Sequence, residues 1–327
     1  MPNIEIRVAT EADAATLSEI ERRSPLVADD HALVIDRGDD YFAAARLMED
    51  ETVLLAEVDG EPAGVLCGAR HLARVGGRER QMLYIHHVRI LPEFQRHGLG
   101  RALSARAQEV YRDAGFHSMY WYISKTNARS QRFASQAPNK WSFGPLMVEL
   151  GAAPFNGDLP ARTATPGDAE TIVTILNAAH ENEEMFLPYT VERLRERLER
   201  APAQYSWPNI WLTEGAVVGA WPEGDYVSTV VLGADGEKEF DRGSIVVDYG
   251  CLPGREGELV ALLEVACGWA NERGYQSVTI FTSPGAQLHD AVVGMAENVV
   301  SFDFWTPGFP EPEGAARRGI YVDPVYF

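Results

Sequence analysis

"RVATEADAATL", beginning at Arg7, and "RTATPGDAETI", beginning at Arg162, share the pattern Arg-x-Ala-Thr-x-x-Asp-Ala-x-Thr-aliphatic. A match of that length inside one chain marks a duplicated unit, so the fold must be one that the chain can build twice. The correspondence continues further in. "DAGFHSMYWYIS", from Asp113, and "ERGYQSVTIFTS", from Glu272, both pass from a helix end through glycine and an aromatic into an apolar strand. Between the copies, "GAAPFNGDLP" (Gly151 to Pro160) is rich in glycine and proline and has no periodicity. The expected division is therefore into residues 1–152 and 160–327.

The 327 residues suffice for two ordinary domains, and 46% hydrophobic with 24% charged content is the balance of a globular protein. The start, "MPNIEIRVATEADAA", has neither a basic leader nor an apolar core, so a cytoplasmic location is expected. Cys67, Cys251 and Cys267 are widely spaced in apolar surroundings and read as core residues, not as a disulfide framework or a metal site. The net charge of −19 repels nucleic acid and anionic membranes and favours a cationic small-molecule partner, although solubility alone accounts for it equally well.

In the first copy "IEIRVA" alternates as a strand, and Ala12 to Arg23 has helical spacing behind Thr10, a suitable N-cap. A helix is expected over Asp40 to Met48, followed by a hairpin turning at Asp59-Gly60 and a strand in "QMLYIHHVRIL". Leu103, Ala107, Val110 and Ala114 then share one helix face, and Gly115 ends that helix. The strand "SMYWYIS", a short helix over Ala128 to Ser135 and the strand "GPLMVEL" close the copy.

Between strand and helix lies "ILPEFQRHGLGRALS" (Ile90 to Ser104). A glycine loop ahead of a helix offers unpaired N–H groups and the positive end of the helix dipole, and both attract phosphate. A nucleotide P-loop is excluded because Gly100 is followed by Arg101-Ala102 and not by Lys-Ser or Lys-Thr. A dinucleotide fingerprint is excluded because position 103 is Leu and no acidic residue stands about twenty positions on.

The loop resembles the acyl-CoA-binding signature of the GNAT superfamily of N-acyltransferases, Gln/Arg-x-x-Gly-x-Gly/Ala, with Gln95, Gly98 and Gly100 in its defining places. The order of flanking elements matches over about 150 residues, the whole first copy. The resemblance implies an α/β (α+β) fold of two tandem GNAT-like domains, each a central mixed, mostly antiparallel sheet flanked by helices. It also implies acetyl-CoA as acyl donor, without a metal. Backbone groups of Arg96, His97, Gly98, Leu99, Gly100 and Arg101 would cradle the pyrophosphate, the two glycines allowing its close approach. Gln95, Val88, Ile90, Asn127 and Ser130 complete the expected donor contacts, with the Val88 N–H polarising the thioester carbonyl.

The implied reaction, direct attack of an amine on a thioester, needs a base, an oxyanion donor and a leaving thiolate. His86 and His87 are the candidate bases. In a regular strand they point to opposite faces, so at most one looks into the cleft. Glu57 is a weaker alternative. The family's usual acid, a Tyr seven residues after the Asn, is absent, because that position is Ala134. Tyr122 and Ser135 are the candidate acids, with Tyr120 and Ser124 nearby on the strand, and an unassisted thiolate departure is the other route.

Aligning the copies sets "GREGEL" (Gly254 to Leu259) opposite "QRHGLG" and puts Glu256 and Glu258 where phosphate oxygens would sit. The second domain is thus expected to be a degenerate GNAT-like domain that does not hold CoA. Its segment "HENEEMFLPYT" borders the acceptor pocket if the domains pack together. The expected function is acetyl transfer to a primary amine of a small, cationic molecule in a ternary complex. The alternatives are a non-catalytic acyl-CoA sensor or scaffold, and an enzyme using a longer acyl-CoA or a hydroxyl acceptor. A homodimer is compatible with each.

Overall fold

The computed structural model describes residues 3–27, 31–112, 115–116, 118–135, 137–155, 157, 160–233 and 238–326. Met1, Pro2, Asp113, Ala114, His117, Asn156, Asp158 and Leu159, which enter the expectations above, lie outside them.

The first half contains strands β1 (Ile4–Val8), β2 (Leu26–Val27), β3 (His31–Asp36), β4 (Glu51–Val58), β5 (Glu61–Val75), β6 (Arg78–Ile90), β7 (Ser118–Ser124) and β8 (Leu146–Gly151). Its helices are α1 (Ala14–Arg23), α2 (Leu99–Arg112) and α3 (Ala128–Ala134). The second half contains β9 (Arg162–Thr163), β10 (Ile210–Leu212), β11 (Ala216–Trp221), β12 (Ser228–Gly233), β13 (Lys238–Asp241), β14 (Gly243–Cys251), β15 (Ser277–Thr282) and β16 (Asn298–Trp305). Its helices are α4 (Ala169–His180), α5 (Val191–Arg200), α6 (Glu256–Glu272), α7 (His289–Val293) and α8 (Ala315–Arg318). No helix among the described residues is long and apolar enough to cross a membrane.

The duplicated motif has one job in both halves. Arg7 makes two hydrogen bonds to the Asp13 carboxylate, at 2.9 and 2.7 Å, and Asp13 accepts the Thr10 N–H at 2.8 Å. Arg162 grips Asp168 in the same way, and Asp168 accepts the Thr165 N–H at 2.8 Å. In each copy the Thr and Asp form a capping box where the first helix begins, and the arginine ties that box to the first strand.

One twelve-stranded sheet, in the order β1-β4-β5-β6-β7-β16-β8-β15-β14-β11-β10-β9, runs through the molecule. Its centre is a strand exchange. β8, the last strand of the first half, pairs with β15, while β16 of the second half lies between β8 and β7. A second sheet, β13-β12-β3-β2, also joins the halves through the β3–β12 ladder. Large aromatics fill the seam: Phe304 on β16 stacks on Tyr122 at 5.2 Å and meets Trp141 edge-on at 4.9 Å.

The hairpin at Asp59-Gly60 forms as expected, with both residues at positive φ. The helix expected over Asp40 to Met48 does not form: apart from a single 3-10 turn at Ala45–Leu47 the segment is irregular. Tyr41 explains why. It is buried, with its hydroxyl on Glu21 at 3.2 Å, and Ala43, Leu47 and Met48 are buried with it at spacings that no helix face can satisfy.

Candidate active site

β6 and β7 are parallel and paired only through Met82↔Ser118, Leu83↔Met119 and Tyr84↔Tyr120. Beyond Tyr84 the two are no longer paired, while the outer half of β7 keeps a ladder on its other edge with β16 (Phe304↔Tyr122, Phe302↔Ser124). The gap exposes the edge of β6 from His87 to Ile90. Val88 is 38% exposed there.

The glycine loop stands at the open end of this gap. Pro92–Phe94 form one 3-10 turn, and Gln95 folds its amide back to the Ile90 carbonyl at 3.0 Å, which holds loop and strand together. Arg96 (φ 69°) and Gly98 (φ 82°) are both left-handed, a backbone path that turns successive N–H groups towards one concavity. Among the described residues no acceptor meets the N–H groups of Arg96, His97, Gly98, Leu99 or Gly100, the last two being the first turn of α2. Arg96, His97 and Arg101 are exposed beside them, while Leu99 is buried and anchors the helix. Gly98 is needed for its φ, since an added Cβ there would meet nothing within 4 Å. Gly100 has ordinary φ and room for a Cβ, 3.5 Å from Ile90, so close packing does not explain it. These features fit a pyrophosphate.

Asn127 caps α3, its side-chain oxygen accepting the Ser130 N–H at 3.0 Å. Ser135 is exposed at the other end of α3, with its hydroxyl on the Arg132 carbonyl at 2.9 Å, and the fold does not bring it to the histidines. Ser124 is turned to Thr126 at 2.8 Å. The Tyr120 hydroxyl is bonded to His71 at 2.7 Å. Tyr122 lies on the seam, 6.0 Å ring to ring from Tyr84, and burial raises its hydroxyl's pKa. Glu57 is held by Arg7 at 3.1 Å, on the far side of the sheet edge from the gap.

The expectation that His86 and His87 face opposite ways is corrected by the backbone. The β5–β6 register jumps from Cys67↔His86 to Val65↔Arg89, so His87 and Val88 together oppose Leu66. His87 takes the bulge conformation at φ 46°. The extra residue cancels the alternation and brings both rings into one cavity, 4.8 Å apart, with Nδ1 to Nδ1 at 2.5 Å. Arg37, Tyr41, Glu51 and Cys67 line the same cavity. No sequence signal marked Arg37, Glu51 or the bulge, which uses no glycine.

Charges in this cavity are fixed by neighbours. Arg37 Nε is 3.1 Å from Glu21, both side chains being buried, and its Nη2 contacts His87 Nε2. Arginine can only donate, so His87 Nε2 accepts and its proton sits on Nδ1. That proton is donated to His86 Nδ1, and the His86 proton is therefore on Nε2, 3.1 Å from Glu51 Oε1. Burial first, then Arg37 and His86, pushes the His87 pKa well below the usual imidazole value. Burial pushes the Cys67 thiol up. Cys67, His86 and His87 offer donor atoms within 4.8 Å of one another, a spacing that a metal ion accepts. The cation already on His87 Nε2 and the proton it forces onto Nδ1 fit a hydrogen-bond chain instead.

In the second half Gly254 (φ 78°) again precedes a helix, α6. Here one glutamate takes a loop donor and a second binds the neighbouring β10–β11 turn. Glu256 accepts the Gly254 N–H at 3.2 Å, and Glu258 accepts the Gly215 N–H at 3.0 Å and the Thr213 hydroxyl. "HENEEMFLPYT" packs on the β5–β6 hairpin, with the Met185 N–H on the Arg74 carbonyl at 2.8 Å and the Gly76 N–H on Glu184 at 2.7 Å, away from the histidine cavity.

Residues 15–137, which carry the loop, the gap and the bulge, match the acetyltransferase (GNAT) family. The match lies within the first half of the chain. An uncharacterized N-acetyltransferase of Archaeoglobus fulgidus is 28% identical over 135 residues, 41% of this chain and 91% of the relative. The GNAT fold also accounts for the second half. The Saccharomyces cerevisiae N-myristoyltransferase solved with bound myristoyl-CoA superposes with a TM-score of 0.64 at 11% identity, over 98% of this chain and 89% of that one. A GCN5-related N-acetyltransferase from Sphaerobacter thermophilus gives 0.59 at 17% identity, over 94% and 97%. At these identities the likeness is one of fold, and it is to a two-GNAT-domain architecture along the full length.

Proposed function

We propose that the chain is an acetyl-CoA-dependent N-acetyltransferase that transfers acetyl to a primary amine of a small, cationic molecule by direct attack in a ternary complex. The observation that carries this reading is the parted β6–β7 pair. A strand edge with exposed Val88 is framed by a loop of unpaired N–H groups on one side and a polar histidine cavity on the other. The loop from Gln95 to Arg101 suits a pyrophosphate, and the Val88 N–H suits a polarised thioester carbonyl. Asn127 and Ser130 are assigned to the donor's arm, and Tyr122, at the seam, is the hydroxyl assigned to the departing sulfur. The first half, residues 1–152, is assigned the chemistry, and the second, 160–327, support.

The likeness to an enzyme crystallised with myristoyl-CoA favours a second reading, a longer acyl chain. The seam argues for the short one. Tyr84 and Tyr120 stack at 5.0 Å and Tyr122 and Phe304 at 5.2 Å, filling the floor below the gap with rings. Thiol release measured with acetyl-CoA and longer thioesters against a panel of amines tests the function. Acetyl-CoA with polyamine-like acceptors is expected to be the best pair, and turnover only with long thioesters would refute the acetyl assignment. Calorimetry should find one CoA site per chain. Gly100→Glu is expected to abolish it with the fold intact, because the substituted position has space but the carboxylate meets the phosphates.

A further inference from the structure

Two buried polar atoms at the end of the histidine chain have no hydrogen-bond partner among the described residues: His86 Nε2 and Glu51 Oε2. Nε2 is 3.1 Å from the other Glu51 oxygen, Oε1, but off the line of a hydrogen bond, and both side chains are 5% exposed. A buried carboxylate with a bare oxygen is costly and calls for a role. Everything upstream of it is directional. Arg37 donates to His87 Nε2 and His87 Nδ1–H to His86 Nδ1, which leaves the His86 proton on Nε2, 3.1 Å from Glu51 Oε1. The chain starts at the bulge, one residue from Val88 on the open strand edge, and ends inside the sheet face under the segment 37–45.

From this arrangement we infer that Glu51 is the terminal proton acceptor of the transfer reaction, reached from the cleft through His87 and His86. The inference rests on the acyl-transfer reading above. Arg37 already presents a cationic N–H donor to His87 Nε2, so the position it occupies is shaped for the N–H of an acceptor ammonium that displaces it, while Glu21 retains Arg37 through Nε at 3.1 Å. One ammonium proton passes to His87 Nε2. The His87 Nδ1 proton passes to His86 Nδ1, and the His86 Nε2 proton passes to Glu51. The freed nitrogen lone pair forms the C–N bond to the thioester carbonyl carbon, the C–S bond breaks, and the thiolate takes the second amine proton to leave as CoA thiol. When the site reopens the proton returns by the same route, from Glu51 to His86 Nε2, from His86 Nδ1 to His87 Nδ1 and from His87 Nε2 to water, which restores both tautomers. The ionisable groups facing Glu51 are His86 and Tyr84 on β6, Cys67 on β5, and Arg37 and Tyr41 from the segment after β3.

The test compares wild type with Glu51→Gln and Glu51→Asp. Gln is expected to lower kcat by about 100-fold or more, leave the KM for acetyl-CoA within about twofold, and remove the acidic limb of the kcat/KM pH profile. Asp should recover part of kcat. Nitrogen-15 spectra of the imidazoles should place the His87 proton on Nδ1 and that of His86 on Nε2, and Gln should shift the His86 Nε2 signal. Turnover and pH profile unchanged in a folded Glu51→Gln protein, or a His87 proton on Nε2, overturns the assignment alone. A wild-type protein silent to every thioester and amine overturns the transfer reading and this assignment with it.

Discussion

His71 shows how a single buried side chain sets the pH limits of the seam. It is stacked on Tyr326 at 4.4 Å and bonded to the Tyr120 hydroxyl at 2.7 Å. Burial, followed by lesser contributions from Asp323 (raising) and from Arg193 and Arg197 (lowering), moves its pKa down to about 4. With the folded pKa below the unfolded value, the unfolded chain takes up the proton first as pH falls. Its contribution is therefore complete above about pH 6.5 and is lost on the way down towards pH 4. Between pH 7 and 5 that loss amounts to about 2 kcal/mol. His71→Gln, which keeps a partner for Tyr120 and cannot be protonated, should flatten the fall in melting temperature over that interval. Parallel wild-type and variant curves would refute the account.

At the level of elements, the repeated Arg, Thr and Asp are legible in the sequence because the bonds they make to one another are local, spanning at most six residues. Asp13 is held well below the usual carboxylate range by Arg7 first and by the Thr10 N–H next. Asp13→Ala removes both the cap and the anchor of Arg7, and should cost about 1–2 kcal/mol in chemical denaturation. Asp168→Ala should cost a similar amount, and a negligible loss in both would deny the motif its structural role. The hairpin at Asp59-Gly60 was legible for the same reason of locality. What the sequence did not carry was the result of long-range competition. Tyr41 gives up a helix to reach Glu21, and the β6 bulge at His87 shows only against its partner strand. Gln95, Gly98 and the loop they shape could be read in advance, whereas Arg37 and Glu51 come to the histidines from segments 49 and 35 residues away in sequence from His86 and have no motif of their own.

Across the whole molecule, the strand exchange means that neither half completes its own sheet. β8 has β15 on one side and β16 on the other, and β7 loses its outer neighbour if β16 is absent. In residues 1–152 alone, β7 would present an unpaired edge at Tyr122 and Ser124, and Trp141, with 2% exposure in the full chain, would lose Phe304 and face water. The outer half of β7, which borders the gap, would also lose the ladder that holds it in place. Residues 1–152 expressed alone are thus expected to aggregate or remain partly folded, with no measurable acyl-CoA binding by calorimetry. Residues 160–327 supplied in trans should restore solubility and binding, because β16 and the β3–β12 ladder arrive together. An isolated first half that is monomeric, cooperatively folded and binds the donor at full affinity would mean that the second half is dispensable for the gap, and the supporting role of β16 would fall.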